Sequence, residues 1–113
     1  MRRNTSSEMA DFRLQHEQRA VPRWPVAFVG YCYGTYGSSR CFISELGENG
    51  LKLTTGLPYK VGDEVIAAWI INGEKLQVAG TVRYVCDDGA GLQFLNLCPT
   101  ERLKILEYLQ FKR

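Results

Sequence analysis

Two arginines just before the first predicted strand, Arg19 and Arg23, are the residues most clearly suited to binding chemistry. They lie four positions apart in the segment EQRAVPRWPV, where Pro22 and Pro25 favour an extended or turn backbone. Two guanidinium groups on such a segment can reach opposite sides of a small anion, because each can bond a phosphate or a base edge. Taken alone, the same spacing is also typical of a solvated basic linker.

Residues that could support catalysis are scarce in this sequence. The one histidine, His16, lies in the polar N-terminal stretch, and the segment GENG is too short to cradle a phosphate. Asp87 and Asp88 are adjacent carboxylates, but Gly89 follows them, which is typical of a turn. We therefore predict that the protein is not an enzyme.

Metal or cofactor binding is not expected either. The four cysteines are too widely spaced for a paired zinc site, and a single histidine cannot complete one; they are Cys32, Cys41, Cys86 and Cys98. We expect four buried thiols in a reducing compartment.

The positive charge is concentrated at the N-terminus. Residues 1–23 contain five arginines and three acidic residues, whereas the rest of the chain has nine basic and nine acidic side chains. With a pI of 8.4, the chain lacks the strongly basic face of a DNA-binding domain, so no DNA partner is expected. No apolar run is long enough to span a membrane, and no secretory signal is present, so we predict a cytoplasmic protein.

The elements that must position these arginines are predominantly strands. From Val26 onward, short apolar segments alternate with turns containing Gly, Pro, Asn or Asp. Leu76, Val78, Gly80, Val82 and Tyr84 alternate with more polar positions, which predicts a strand with these five residues on its buried face. About six such segments indicate a mostly β fold, a six-stranded antiparallel barrel over residues 26–97.

The remaining segments complete one predicted domain over residues 1–113. Residues 1–16 are expected to be a flexible tail, residues 17–25 the arginine loop, and residues 99–111 a C-terminal α-helix. In that helix Leu103, Leu106 and Leu109 recur at three-residue intervals beside Ile105, and Thr100 is a suitable N-cap. We expect the apolar stripe to pack on the barrel.

This order of features resembles the PilZ domain, a bacterial receptor family for cyclic di-GMP, over Glu17 to Leu109. Arg19 and Arg23 match the RxxxR motif of the family. Its second motif, D/N-x-S-x-x-G, is altered here: Glu45 replaces the first residue, Gly47 replaces the serine, and Gly50 matches. An alignment starting at Phe42 keeps the serine but leaves the segment after Gly50 out of register, so it is rejected.

The resemblance implies that cyclic di-GMP is the ligand and that no other cofactor is needed. Arg19 and Arg23 would contact phosphates and bases, and Glu45, Gly47 and Gly50 would surround a guanine. Gly47 and Gly50 are also compatible with an ordinary hairpin. Arg83 is either a third contact or a surface cation. Gln18 stands where relatives that take up two stacked ligands often carry arginine, which favours one ligand per site.

Signalling would then require a protein partner, since the sequence offers no catalytic or output domain. The resemblance implies an unidentified effector in motility, pilus or polysaccharide machinery. The alternative is a PilZ-fold adaptor that does not bind cyclic di-GMP. A barrel that binds single-stranded nucleic acid is disfavoured, because Tyr31 and Tyr33 supply aromatic rings but the barrel has no net positive charge. Trp24 is expected to fasten the arginine loop to the barrel, and Trp69 to lie in the core.

Overall fold

The computed structural model describes residues 23–110, which form six strands and one helix. The strands are β1 (Arg23–Gly34), β2 (Gly37–Gly47), β3 (Gly50–Thr54), β4 (Glu64–Ile71), β5 (Glu74–Cys86) and β6 (Gly89–Leu95), and the helix is α1 (Pro99–Gln110). All neighbouring strands are antiparallel, and the order β1-β2-β3-β6-β5-β4 closes into a barrel. The predicted barrel and C-terminal helix are confirmed.

Alternation of side chains along the strands builds the core. Inward positions are apolar and nearly inaccessible to solvent, among them Ile43, Leu46, Leu53, Val65, Leu76, Val82 and Leu92. Trp69 is only 2% exposed, which confirms its predicted place in the core. Trp24 is partly buried and packs against the same cluster, as expected of a residue that fastens the start of β1 to the barrel.

The connections between strands follow the predicted turn chemistry. Asn72 and Gly73 link β4 to β5 with positive φ angles of 51° and 79°, the conformation of a type I′ hairpin turn. Residues 48 and 49 link β2 to β3 at the end of the barrel where β1 begins. The longer segment 55–63 links β3 to β4 at the opposite end.

Strand β1 begins at Arg23, three residues before the predicted start of the barrel. Arg23 and Trp24 lie opposite Gly47 and Leu46 and extend the β1–β2 ladder. Pro25 cannot donate a ladder hydrogen bond, and the pairing shifts between Pro25 and Phe28. This irregularity allows Pro25 to lie inside β1, whereas the sequence pattern had placed it in the arginine loop, residues 17–25. The predicted tail, residues 1–16, lies outside the described residues.

The helix begins one residue earlier than its predicted cap. Cys98 precedes the first helical residue, Pro99, and its backbone N–H donates to Glu101 Oε1 at 3.4 Å. This is the reciprocal half of a capping box, with proline at the first helical position. The prediction of Thr100 as the N-cap is wrong, because Pro99 needs no N–H partner and so starts the helix.

The apolar stripe of α1 also differs from the prediction in one member. Ile105 and Leu109 are buried against the barrel, whereas Leu103 is 55% exposed. Residues 105 and 109 are four apart and share one face, while residue 103 is rotated away from it. Leu103 therefore does not belong to the packed face.

The cysteines are free thiols with unequal burial. Cys32 and Cys41 are buried, Cys86 is half-buried and Cys98 is exposed at the start of the helix. The expectation of four buried thiols is wrong for Cys86 and Cys98, which lie at element ends rather than at inward strand positions. In the described part of the chain, no helix is long and apolar enough to cross a membrane.

Candidate functional site

The start of β1, the end of β2 and the start of β3 meet at one end of the barrel. Arg23 lies opposite Gly47 in the β1–β2 ladder, and Glu45 lies opposite Lys52 in the β2–β3 ladder. Gly50 begins β3 directly after the two-residue connection. The structure thus brings together Arg23 and the three residues of the predicted second motif.

The guanidinium of Arg23 is held by groups from β5 and β6. Its Nη1 donates to Tyr84 Oη at 3.2 Å, and its Nη2 donates to the Leu92 carbonyl oxygen at 3.4 Å. The guanidinium carbon lies 5.9 Å from the centre of the Tyr84 ring, within cation–π range. These contacts fix the guanidinium at this end of the barrel.

Two glycines make room for this arrangement. A Cβ on Gly50 would lie 2.8 Å from Arg23 Nη2 and would also collide with the Leu92 carbonyl oxygen. A Cβ on Gly91 would collide with the ring of Tyr84, which lies opposite Gly91 in the β5–β6 ladder. Glycine at position 50 therefore has a steric role beyond the hairpin, because it lets the guanidinium approach the backbone of β6.

Glu45 provides a negative group beside the positive one. It is half-buried and its Oε1 atom is inaccessible to solvent. The β2–β3 pairing shifts between Ile43 and Glu45, so this carboxylate follows a local irregularity in the strand. A carboxylate can accept hydrogen bonds from paired N–H donors, such as those on the edge of a guanine.

Arg83 lies on β5 next to Tyr84 and is exposed. Its Nη1 donates to Gln93 Oε1 at 2.5 Å, and Gln93 lies opposite Gly50 in the β3–β6 ladder. The structure therefore places Arg83 on the flank of the site, one residue away from the tyrosine that holds Arg23. The other two predicted ligand contacts, Gln18 and Arg19, lie outside the described residues.

Sequence reasoning missed Tyr84 as a member of the site. The strand pattern assigned it to the buried face of β5, but the β5–β6 register shifts between Val82 and Tyr84, and Tyr84 is half-buried beside Arg23. A signal was present in the pairing of a tyrosine with Gly91, because aromatic rings often cover a cross-strand glycine. That pairing becomes visible only once the register is known.

None of the predicted ligand residues that the structure describes lies at the opposite end of the barrel. A depression of about 280 Å³ lies there, lined in part by Thr55, Tyr59 and Cys86. A hydrogen bond donated by the Cys41 thiol to Cys32, together with burial, raises the pKa of Cys41, and burial raises the pKa of Tyr59. Over residues 23–110, no cluster of three or more His, Cys, Asp or Glu side chains could hold a metal ion.

Comparisons with known proteins identify both a sequence family and similar folds. The sequence model of the PilZ domain matches residues 17–111. The PilZ domain of YcgR from Escherichia coli, solved with c-di-GMP, is 12% identical with a TM-score of 0.67, and the alignment covers 85% of this chain and 95% of that chain. No curated protein matches the chain.

Two larger proteins contain the same fold. The PlzA protein of Borreliella burgdorferi, solved in complex with c-di-GMP, is 13% identical with a TM-score of 0.67 over 89% of this chain and 45% of that chain. The Inhibitor of motility of Bacillus subtilis is 12% identical with a TM-score of 0.72 over 84% of this chain and 51% of that chain. The present chain therefore spans about half the length of each.

Proposed function

Because the chain belongs to the PilZ domain family, we propose that it is a cyclic di-GMP receptor with its binding site at the Arg23 end of the barrel. The observation that carries the proposal is the position of the Arg23 guanidinium, next to the β2–β3 hairpin that contains Glu45, Gly47 and Gly50. Two structures similar to this chain are described as complexes with c-di-GMP.

The chemistry of the ligand matches the charge at this end. Cyclic di-GMP carries two phosphates, and arginine forms strong, bidentate hydrogen bonds with phosphate oxygens. Arg23 now donates to a tyrosine hydroxyl and a carbonyl, which are weaker acceptors than a phosphate. We expect the guanidinium to exchange these neutral partners for the ligand, with Arg19 contributing the second positive charge.

The altered second motif lowers the expected affinity without removing the main contact. Loss of a serine hydroxyl at position 47 removes a neutral hydrogen bond worth about 0.5–1.5 kcal/mol, whereas a charge-assisted arginine bond is worth about 1.5–3 kcal/mol. Glu45 retains a carboxylate for the guanine edge, although its side chain is one methylene longer than aspartate. Binding about tenfold weaker than that of a full-motif relative is consistent with these magnitudes.

The output of such a receptor is a change in what the protein binds. Residues 17–22 precede β1 and contain Arg19, so ligand capture would reposition this segment against the barrel. We propose that an effector protein reads this change. Motility, pilus or polysaccharide machinery is the class of effector that family resemblance favours.

Isothermal titration calorimetry with cyclic di-GMP tests the proposed site. Wild-type protein should bind in the micromolar range or tighter, and Arg23→Ala should weaken binding by about tenfold or more. Lys60→Ala is the charge-matched control, because this exposed cation lies in the segment at the opposite end of the barrel. Equal affinities for the Arg23→Ala variant and the wild type would overturn the placement of the site.

The alternative function is that of an adaptor that works through protein contacts alone. The replacement of the motif serine by Gly47 favours it, because one ligand contact is lost. In this case the same titration would show no heat with cyclic di-GMP for either the wild type or the variants. Binding of oligonucleotides with a steep salt dependence would instead indicate a nucleic-acid-binding barrel.

A further inference from the structure

Six large apolar side chains are exposed on the outer surface of three neighbouring strands, β4, β1 and β2. Strand β1 lies in the middle, paired with β2 on one side and with β4 on the other. Their exposed fractions range from 38% to 64%, and they are Val29, Tyr31 and Tyr33 of β1, Phe42 of β2, and Ile66 and Ile70 of β4. We call this surface the β4–β1–β2 face.

Strand pairing makes the face continuous. Val29 lies opposite Phe42 in the β1–β2 ladder, and Tyr33 lies opposite Ile66 in the β1–β4 ladder. Opposite side chains of an antiparallel pair have Cβ atoms about 4.5–5.5 Å apart, close enough for direct contact. The exposed residues therefore form one patch rather than scattered surface positions.

The fold does not require apolar residues at these positions. The interior of the barrel is filled by the inward side of the same strands, including Cys32, Ile43 and Trp69. Outward positions of a solvated strand are ordinarily polar, and β5 shows this over most of its length, with Lys75, Gln77 and Arg83 exposed and one exposed large apolar side chain, Val85, near its end. The contrast within one barrel indicates that the β4–β1–β2 face is covered in the working protein.

We propose that the β4–β1–β2 face is a homodimer interface, packed against the same face of a second copy of this chain. A monomer rarely exposes an apolar patch larger than about 300–600 Å², and six half-exposed large side chains reach that range. A stable dimer buries about 800 Å² per partner. The patch together with its border, which includes Ser38, Arg40 and Gln77, has the extent that such an interface needs.

The composition of the face fits an interface between like surfaces. Segments 29–33, 38–42 and 65–70 contain a single charged residue, Arg40, which lies opposite Tyr31. Interface centres are enriched in tyrosine, phenylalanine and arginine and depleted of lysine and acidic residues. An apolar face with one charged residue is complementary to another surface that is apolar and nearly uncharged. The same face of a second copy is such a surface.

A two-fold axis parallel to β1 pairs these faces without charge repulsion. Such an axis stacks β1 on its copy and places β2 of one copy over β4 of the other. The two Arg40 side chains then lie on opposite flanks, each near apolar groups of the other copy. Packed sheets lie about 10 Å apart, which side chains of the size of tyrosine and isoleucine fill.

The face lies away from the proposed ligand site. Tyr31 is eight residues from Arg23 along β1, a separation of roughly 25 Å at about 3.3 Å per residue. The dimer inference does not rest on ligand binding, and both surfaces can be occupied together.

Sedimentation equilibrium of the full chain over roughly 1 to 200 µM tests the interface. The apparent mass should rise with concentration from the 12.8 kDa of one chain to twice that value. Tyr31→Glu should raise the dimer dissociation constant by about tenfold or more, because it places a carboxylate in the apolar centre. The control is Val61→Glu, which adds the same charge at a 66% exposed position outside the face and should leave the dimer unchanged.

A second variant guards against a folding defect. Ile70→Glu alters a different strand of the same face at a 57% exposed position, and circular dichroism checks that each variant is folded. Should Tyr31→Glu fail to fold, the dimer dissociation constant of the Ile70→Glu variant tests the interface in its place. A wild-type protein that stays monomeric over the whole range overturns the proposal and assigns the face to another occupant. A dimer that both folded variants leave intact overturns it as well.

Discussion

At the scale of single residues, the contacts of Arg23 connect four of the strands that form the candidate site. The arginine starts β1, yet its guanidinium is held by Tyr84 of β5 and the Leu92 carbonyl of β6, next to Gly50 of β3. These contacts hold the guanidinium at the end of the barrel where we propose that the ligand binds. The position of the guanidinium depends on the tyrosine ring, and the ring depends on Gly91.

Substitution of Gly91 tests that dependence. Gly91→Ala places a methyl group in the space occupied by the Tyr84 ring, and the enforced repacking should lower the free energy of unfolding by about 1–3 kcal/mol. Urea unfolding monitored by circular dichroism measures the change. Gly56→Ala is the matched control, since a Cβ at that position meets no atom within 4 Å, and its effect should stay within about 0.5 kcal/mol. Equal stabilities of the two variants would contradict the described packing of Tyr84.

The sequence identified some of these residues and missed others for a physical reason. Arg23 was predicted from the RxxxR motif, and Glu45 and Gly50 were predicted from their alignment with the second motif of the family. Tyr84 lies 61 residues from Arg23, and its contact depends on a register shift in the β5–β6 ladder. Local sequence patterns carry no direct signal for such a shift, so the tyrosine was assigned to the core.

At the scale of elements, one face of α1 packs on the barrel and determines the orientation of the helix. Ile105 is fully buried and Leu103 is 55% exposed, although both belong to the apolar stripe expected from the sequence. The Lys104 ammonium lies 2.7 Å from the Glu74 carboxylate, which joins the helix to the start of β5. This hydrogen bond raises the pKa of Lys104.

Alanine substitutions on the two sides of α1 distinguish its packed and exposed faces. Ile105→Ala should lower the free energy of unfolding by about 2–5 kcal/mol, because it removes buried methyl groups and leaves a cavity. Leu103→Ala should change it by no more than about 0.5 kcal/mol. Chemical denaturation of both variants under the same conditions gives the comparison. A larger loss for Leu103→Ala than for Ile105→Ala would show that the helix packs in a different rotation.

Turns were the elements most accurately predicted. Asn72 and Gly73 adopt positive φ angles that few other residue pairs tolerate, so the hairpin between β4 and β5 is specified locally. The start of β1 was less predictable, because Pro25 and Pro22 suggest a loop. The strand continues through Pro25 because the β1–β2 register shifts directly after it, where the proline lacks an N–H to donate to the ladder.

At the scale of the whole molecule, barrel closure separates two surfaces of different chemistry. One end gathers the Arg23 guanidinium, a carboxylate and close-packed glycines, whereas the β4–β1–β2 face is apolar and carries a single charged residue, Arg40. The number of strands and their antiparallel closure into a barrel were predicted from the sequence, but this apolar face was not. It emerged only when the register placed residues from three separate strands side by side.

The ligand site at the Arg23 end of the barrel is the central claim, and one nuclear magnetic resonance titration tests it most directly. Cyclic di-GMP added to isotope-labelled protein should shift the backbone signals of Arg23, Gly47, Gly50 and Tyr84. The signals of residues 55–59 at the opposite end should stay in place, because they lie outside the site. Shifts concentrated at residues 55–59, or a spectrum that the dinucleotide leaves unchanged, would contradict the claim.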